Sequence, residues 1–273
     1  MSRVRDRADA RDWLVMAAAC AIVGVLLIAP LVLVFVQAFA DGWRPALEAL
    51  REPETLSAIR LTLFVAVIVV AVNSVFGTIA AWLLARFDFR FKAALLTLIE
   101  LPVSISPVIG GLVWLLLFGA QGWFGPWCER HGIGLMFAWP GIVLATLFVT
   151  FPYVVRTALP LLEAQGPAQE EAAVLLGAGW WSLWARVILP GMRLALLSGV
   201  LLTTARALGE FGAVAVVSGH IPGLTNTMPL EIETLYNGYR STAAFALSAT
   251  LALMALAVIA LRTLIRRAGS VRA

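Results

Sequence analysis

Charged side chains are scarce in this sequence. They make up only 13% of its 273 residues, while 61% are hydrophobic. A soluble domain carries roughly a quarter charged residues. A chain of this length could bury a normal core, but so few charges could not cover that core in water. The sequence therefore predicts that lipid surrounds most of the protein.

The chain also has little of what catalytic and metal sites are built from. Lys92 is its only lysine and follows no glycine-rich loop, so the chain does not bind ATP through a phosphate loop. His131 and His220 stand apart from any cysteine or carboxylate cluster, which argues against a metal site. Cys20 and Cys128 are too far apart for a C-x-x-C motif, and no disulfide is expected. The sequence thus predicts a non-catalytic protein with no metal and no cofactor.

Arginine supplies 19 of the 20 basic residues, and the net charge is +4. These arginines are scattered between apolar runs and form no basic stripe with interleaved aromatics, which argues against nucleic acid as a partner. Their distribution is instead a signal of membrane topology.

Long apolar runs divide the chain into membrane spans. A spanning helix needs about 20 mostly apolar residues, and five charge-free runs meet this length: 13–40, 61–85, 101–128, 132–155 and 241–261. A sixth apolar region, about 194–217, is interrupted by Arg206 and Glu210. The sequence therefore predicts an all-α, polytopic membrane protein with six transmembrane helices: 14–38, 61–85, 97–118, 138–161, 194–217 and 242–263.

The N-terminal segment combines arginines with the first apolar run. That run is longer than the apolar region of a signal peptide, about 7–15 residues, so a retained first span is predicted; a signal anchor remains the alternative. The domain organisation that follows is a short N-terminus at 1–12, a membrane domain at 13–265 and a tail at 266–273.

Basic residues also predict the orientation. An even number of spans puts both termini on one side, and cytoplasmic loops are enriched in arginine and lysine. With the N-terminus in the cytoplasm, the outer segments hold five basic residues: Arg44, Arg51, Arg60, Arg130 and Arg240. The cytoplasmic segments hold 14: Arg3, Arg5, Arg7, Arg11, Arg86, Arg90, Lys92, Arg156, Arg186, Arg193, Arg262, Arg266, Arg267 and Arg272. Both termini are therefore expected in the cytoplasm.

The predicted third span begins with the unusual sequence ELPVSISPVIGGLVW. Pro102 and Pro107 each remove a backbone donor and kink or break a helix. One interpretation is an ordinary kink. The other is a partly unwound segment that faces a transport pathway, because non-helical backbone at membrane depth requires protein or a wet cavity around it.

Arg206 and Glu210 are the charged residues of the predicted fifth span. Ionisable residues inside spans are rare and usually face the bundle interior. Their four-residue spacing puts both on one helical face, and Gly209 and Gly212 would permit close helix approach. Two interpretations stay open: a buried structural ion pair, or an element of a pathway or gate.

The longest loop on the predicted cytoplasmic side, 163–193, forms a compact elbow. A short helix over 168–176 would carry Glu170 and Glu171 in its first turn, where carboxylates suit the helix dipole. An apolar face is predicted at Ala172, Leu175 and Leu176, with Gly177 as a C-cap of positive φ. A second helix over 180–188 would carry Trp180, Trp181 and Trp184 and end at Pro190. The elbow could lie flat on the membrane, with its tryptophans in the interface.

The elbow also resembles the signature loop of ABC importer permeases, E-A-A-x-x-x-G, nine residues, then I-x-L-P. The matching positions are Glu171, Ala172, Ala173, Gly177, Val187, Leu189 and Pro190. The one departure is Val187, where the family prefers isoleucine, and it keeps a branched apolar side chain. The resemblance implies a type I ABC importer permease fold. It also implies that the short helix docks into a cytoplasmic ATPase, present in two copies, which hydrolyses ATP in place of this chain.

Four further stretches resemble sulfate/thiosulfate importer permeases of the W-type: 85–90, 136–156, 205–219 and 228–248. The resemblance implies pairing with a related T-type subunit, a periplasmic sulfate/thiosulfate-binding protein, and a place in the bacterial inner membrane. The A-L-G-E-F-G core is shared with molybdate permeases, so molybdate or another oxyanion remains an alternative. A stand-alone secondary transporter or channel is disfavoured because it needs no docking elbow.

Overall fold

The structure, a computed structural model, describes residues 10–270, with side-chain surroundings for 12–264. Within this part of the chain the secondary structure is helical. The predicted N-terminus at 1–12 and the tail at 266–273 lie largely outside the residues whose side chains are described. The helices are α1 Ala10–Ala38, α2 Trp43–Arg51, α3 Pro53–Arg86, α4 Lys92–Ser104, α5 Pro107–Phe118, α6 Gly125–Arg130, α7 Trp139–Thr150, α8 Pro152–Gln165, α9 Ala168–Leu175, α10 Trp180–Leu183, a π turn Trp184–Ile188, α11 Leu189–Leu208, α12 Gly212–Val217, α13 Met228–Asn237 and α14 Ser241–Ser270.

The structure has five to six candidate spans, which agrees with the predicted six when the bent pair of α4 and α5 is counted as one span. Five helical stretches are long and apolar enough to cross a membrane, and the bent pair of α4 and α5 makes a sixth. The stretch Trp139–Gln165 is α7 followed directly by α8, and Trp180–Leu208 runs through α10, the π turn and α11. The all-α, polytopic fold class is therefore correct.

Two ends of the bundle can be told apart by their contacts. Arg86, at the end of α3, contacts the carbonyl of Leu162 in α8 and the start of α9; we call this the elbow end. At the opposite end, Asp41 after α1 is hydrogen-bonded to Thr242 at the start of α14. Helix α1 ends at this opposite end, and α14 begins there. The start of α1 and the end of α14, which are the two ends of the described chain, therefore lie towards the elbow end.

Close packing of α3, α8 and α11 forms the part of the core nearest the elbow. A Cβ at Gly77 of α3 would lie 2.8 Å from Val154 of α8, and one at Gly199 of α11 would lie 2.5 Å from Thr157. These glycines let the three helices approach closely, as small residues do in membrane bundles. The elbow therefore rests on tightly packed spans.

The third span is sharply broken, so the ordinary kink is wrong. The chain bends by 110° between α4 and α5, and Ile105 and Ser106 between them have extended backbone. Only one of the two prolines makes the break. Pro102 lies inside α4, whereas Pro107 opens α5 and disfavours helical backbone at the residue before it.

The fifth span differs from its prediction at both ends. Pro190 does not end a helix, because the helical backbone continues from Trp180 to Leu208. In the π turn the Leu189 amide bonds to the Trp184 carbonyl, and this wider turn relieves the clash a proline makes with the preceding turn. At the other end, α11 stops at Leu208, and residues 212–217 form the separate helix α12.

Candidate functional site

The elbow is a short helix set between two glycine turns. Gly166 has φ +65° and ends α8, and Gly177 has φ +86° and ends α9. The Gly177 amide bonds to the Val174 carbonyl, and the Ala178 amide bonds to the Ala173 carbonyl. This pair of bonds is the Schellman motif, in which glycine takes the left-handed position. The structure confirms the predicted short helix and its Gly177 cap.

Helix α9 has two faces of different character. At 3.6 residues per turn, Glu170 and Ala173 fall on one side and Glu171, Ala172 and Leu175 on the other. Ala173 packs against buried residues of α3, α8 and the second half of the elbow. On the other side, Glu171 and Ala172 are exposed, and Leu175 is 87% exposed. Glu171 and Ala172 of the signature therefore point away from the spans, whereas Ala173 packs on them.

The other signature positions lie along the continuous helix that follows. Val187 is half-buried against the buried residues of the spans at the elbow end. Leu189 and Pro190 are exposed. Ile188, between Val187 and Leu189, is buried, so this part of the helix contacts the core through Val187 of the signature and through Ile188, which the signature does not specify.

Sequence reasoning missed the main attachment of α9, which is made by Glu170. Its Oε1 accepts a hydrogen bond of 2.8 Å from Arg86 Nε, and Arg86 Nη2 forms an ion pair with the same oxygen at 2.8 Å. Its Oε2 accepts a hydrogen bond of 2.9 Å from Trp82 Nε1. Arg86 Nη1 also donates to the Leu162 carbonyl at 2.8 Å. No signal in the sequence links these groups, because Glu170 lies 84 residues from Arg86.

Aromatic rings hold the second half of the elbow against the same end of α3. The Trp82 ring lies 5.5 Å from that of Trp180 and 5.3 Å from that of Trp184. Trp181 points outward and is 83% exposed. Two of the three elbow tryptophans thus pack on Trp82 of α3.

Arg206 and Glu210 are brought together, though in a different way from the prediction. Arg206 Nη1 lies 2.5 Å from Glu210 Oε2, but Glu210 follows the end of α11 and does not share its helix. Its Oε1 accepts a hydrogen bond of 2.9 Å from the Ala213 amide in the first turn of α12. The Glu210 side chain is 1% exposed and that of Arg206 is 29% exposed.

The broken third span lies close to this ion pair. A Cβ at Gly212, two residues after Glu210, would lie 3.2 Å from Pro107. A Cβ at Gly111 of α5 would lie 2.5 Å from the Ala213 carbonyl. The close approach predicted for Gly212 is therefore present, whereas Gly209 is exposed, with only the Ala205 carbonyl, at 3.8 Å, near its Cβ position.

A further ion pair was not predicted. Arg156 of α8 lies 3.3 Å from Glu100 of α4, and both side chains are about half exposed, at 41% and 54%. Their separation of 56 positions along the chain leaves no sequence signal for this contact.

The helical bundle with an outward-facing elbow is the architecture of an integral-membrane permease subunit. A family model described as "Binding-protein-dependent transport system inner membrane component" matches residues 73–269. This range covers most of the chain, including the elbow and the Arg206–Glu210 pair. The chain belongs to this family, and it is a multi-pass membrane protein.

Within the family the chain is similar to sulfate permeases. It is 46% identical to "Sulfate transport system permease protein CysW" of Escherichia coli (strain K12), over 95% of this chain and 91% of that protein. It is 35% identical to "Sulfate transport system permease protein CysT" of the same strain, over 90% and 89%. The fold is shared with a crystal structure of a bacterial ABC transporter for alginate import, at a TM-score of 0.76 and 18% identity, over 94% of this chain and 96% of that one. The similarity to CysW and CysT confirms the resemblance seen in the sequence.

Proposed function

We propose that the chain is the W-type permease subunit of an ATP-driven sulfate importer that also accepts thiosulfate. It pairs with a T-type permease subunit in the bacterial inner membrane, receives the anion from a periplasmic binding protein, and is driven by two copies of a cytoplasmic ATPase. The observation that carries the proposal is the outward face of α9. Glu171, Ala172 and Leu175 are exposed and face away from the spans, although the opposite face of the helix is attached to them.

This geometry favours docking to a protein over an elbow lying flat on the membrane. Of the three tryptophans that would have been the interfacial anchors, Trp180 and Trp184 pack on Trp82, and Trp181 alone points outward. The outward face carries a carboxylate beside small and apolar side chains, and α9 is short and therefore stiff. We propose that 163–193 is the coupling loop and that closure of the ATPase pair displaces α9.

The pathway is proposed to lie beside the broken third span. The extended backbone at Ser106 and the exposed side chains of Ser104 and Ser106 need a wet or protein-lined environment. For Arg206 and Glu210 we propose a structural pair. The Glu210 carboxylate already binds both Arg206 and the Ala213 amide.

Reporter fusions test the orientation on which the coupling assignment depends. Fusions after residues 90 and 180, at the elbow end, are expected to read cytoplasmic, because basic residues are concentrated there. Fusions after residues 48 and 225, at the opposite end, are expected to read periplasmic. A periplasmic signal at residue 180 would contradict both the orientation and the docking of α9 to an ATPase.

Uptake of labelled sulfate tests the substrate. In a strain lacking its own sulfate permease, the chain with its partner subunits should restore uptake. Unlabelled thiosulfate should compete, and molybdate at the same concentration should not. Competition by molybdate alone would assign the chain to the alternative oxyanion, and uptake without any ATPase subunit would favour a secondary transporter.

A further inference from the structure

We infer that Glu170, together with Arg86 and Trp82, forms the clamp through which movement of α9 reaches span α3. This inference rests on the proposed function of α9 as the coupling helix. It concerns a residue outside the signature: Glu171 faces outward, whereas its neighbour Glu170 faces the bundle and makes the attachment.

The chain on either side of α9 is poorly suited to transmit force. Gly166 and Gly177 both have left-handed backbone, and a Cβ at either position would meet nothing within 4 Å. Neither turn is therefore braced by packing at its glycine. Contacts between α9 and the spans therefore offer a more direct route for a push on α9 than the chain that passes through these turns.

The clamp supplies such contacts to two spans at once. The side chains of Arg86 and Glu170 are 8% and 13% exposed, so solvent screens their attraction far less than at the surface. Charge-assisted hydrogen bonds of this kind are the strongest that side chains make. Because Arg86 also bonds to the Leu162 carbonyl, the clamp ties α9 to α3 and α8 together.

Trp82 extends the clamp to the second half of the elbow. It donates to Glu170 through Nε1 and packs its ring against Trp180 and Trp184. One turn of α3, bearing Trp82 and Arg86, thus holds both helical parts of the elbow. A displacement of either part is delivered to the same end of α3.

The test is Glu170→Gln in the reconstituted complex of both permease subunits, ATPase and binding protein in proteoliposomes. Glutamine keeps the size of the side chain and one acceptor but removes the charge. The amount of ATPase retained should equal that of the wild type, because the outward face of α9 is unchanged. Sulfate moved per ATP hydrolysed should fall about tenfold. This is the change in an equilibrium constant expected when one charge-assisted hydrogen bond at the weak end of the usual range is lost.

Matched variants isolate the clamp. Glu54→Gln makes the same change at an exposed glutamate in the first turn of α3, at the opposite end of the bundle, and should leave the ratio unchanged. Trp82→Phe keeps the aromatic packing, removes the Nε1 donor, and should lower the ratio less than Glu170→Gln does. The double variant Arg86→Gln with Glu170→Gln should move as much sulfate per ATP as Arg86→Gln alone, because the two changes break the same interaction.

Two outcomes would overturn the inference. An unchanged ratio in Glu170→Gln, with a wild-type complex that transports, would show that the clamp does not carry the movement. A loss of assembled complex that accounts for all the lost uptake, with an unchanged ratio, would show that the clamp only supports folding. Failure of the proposed function is distinguishable from both, because the wild-type complex would then retain no ATPase or move no sulfate.

Discussion

Replacing Gly177 with valine should abolish most sulfate uptake while the protein still inserts into the membrane. Gly177 has φ +86° and closes the Schellman motif that ends α9. A branched residue in left-handed backbone costs about 1–3 kcal/mol, so the cap should open and the outward face of α9 should shift. We expect ATPase retention to weaken and uptake to fall at least about tenfold, the effect of 1.4 kcal/mol or more. Co-purification of the ATPase and labelled sulfate uptake measure the two effects.

Gly179→Val is the matched control for this change. Gly179 lies two residues away with φ −72°, and a Cβ there would also meet nothing within 4 Å. Valine suits extended backbone, so this variant should transport normally. Gly177→Asn should fall between the two, because asparagine tolerates left-handed backbone. Wild-type uptake by Gly177→Val with its ATPase bound would show that the loop is not the coupling element.

Removing Arg206 alone should lower the amount of folded protein more than removing Glu210 alone. Arg206→Ala would strand a carboxylate that is 1% exposed, and breaking a buried pair in this way costs about 3–5 kcal/mol in soluble interiors. Glu210→Ala would leave Arg206 without its partner. The Arg206 side chain is 29% exposed, so its guanidinium can bind water or another group. Assembled complex and sulfate uptake should be measured side by side for each variant.

The double variant separates a structural pair from a pathway element. Arg206→Ala with Glu210→Gln removes both charges, and glutamine retains an acceptor for the Ala213 amide. If the pair is structural, this variant should recover much of the assembled complex and of the uptake. Arg206→Ala with Glu210→Ala should recover less, because the Ala213 amide loses its partner. Recovery of abundance with no recovery of uptake would contradict the structural interpretation and place Arg206 on the pathway.

Most of the fold could be predicted from neighbouring residues. Hydropathy located the six spans because each must cross the hydrocarbon core within one continuous segment. The elbow helix and the positive φ of Gly177 followed from a local pattern, because a helix end is built by the residues within one turn of it. The extended backbone at Ser106 has the same local origin, in the proline that follows it.

Prediction failed where a residue's surroundings come from distant parts of the chain. Pro190 was predicted to end a helix, because proline usually does so. In the structure a π turn at Trp184–Ile188, which includes the buried Ile188, precedes Pro190, and the helix continues past it. Glu210 was predicted on a shared helical face, and the separate helix α12 decides its second partner. The span boundaries at Leu208 and Gly212 were missed for the same reason.

The sequence by itself determined that this is a helical membrane protein with six spans and an elbow that bears a family signature. These properties follow from composition and from patterns within one or two turns of helix. Only the tertiary structure decided that Glu170 faces α3 while Glu171 faces outward, and that Trp82 and Arg86 receive it. Residues so far apart along the chain meet only when the spans pack, because each contact depends on the rotation and depth of two helices that no local pattern specifies.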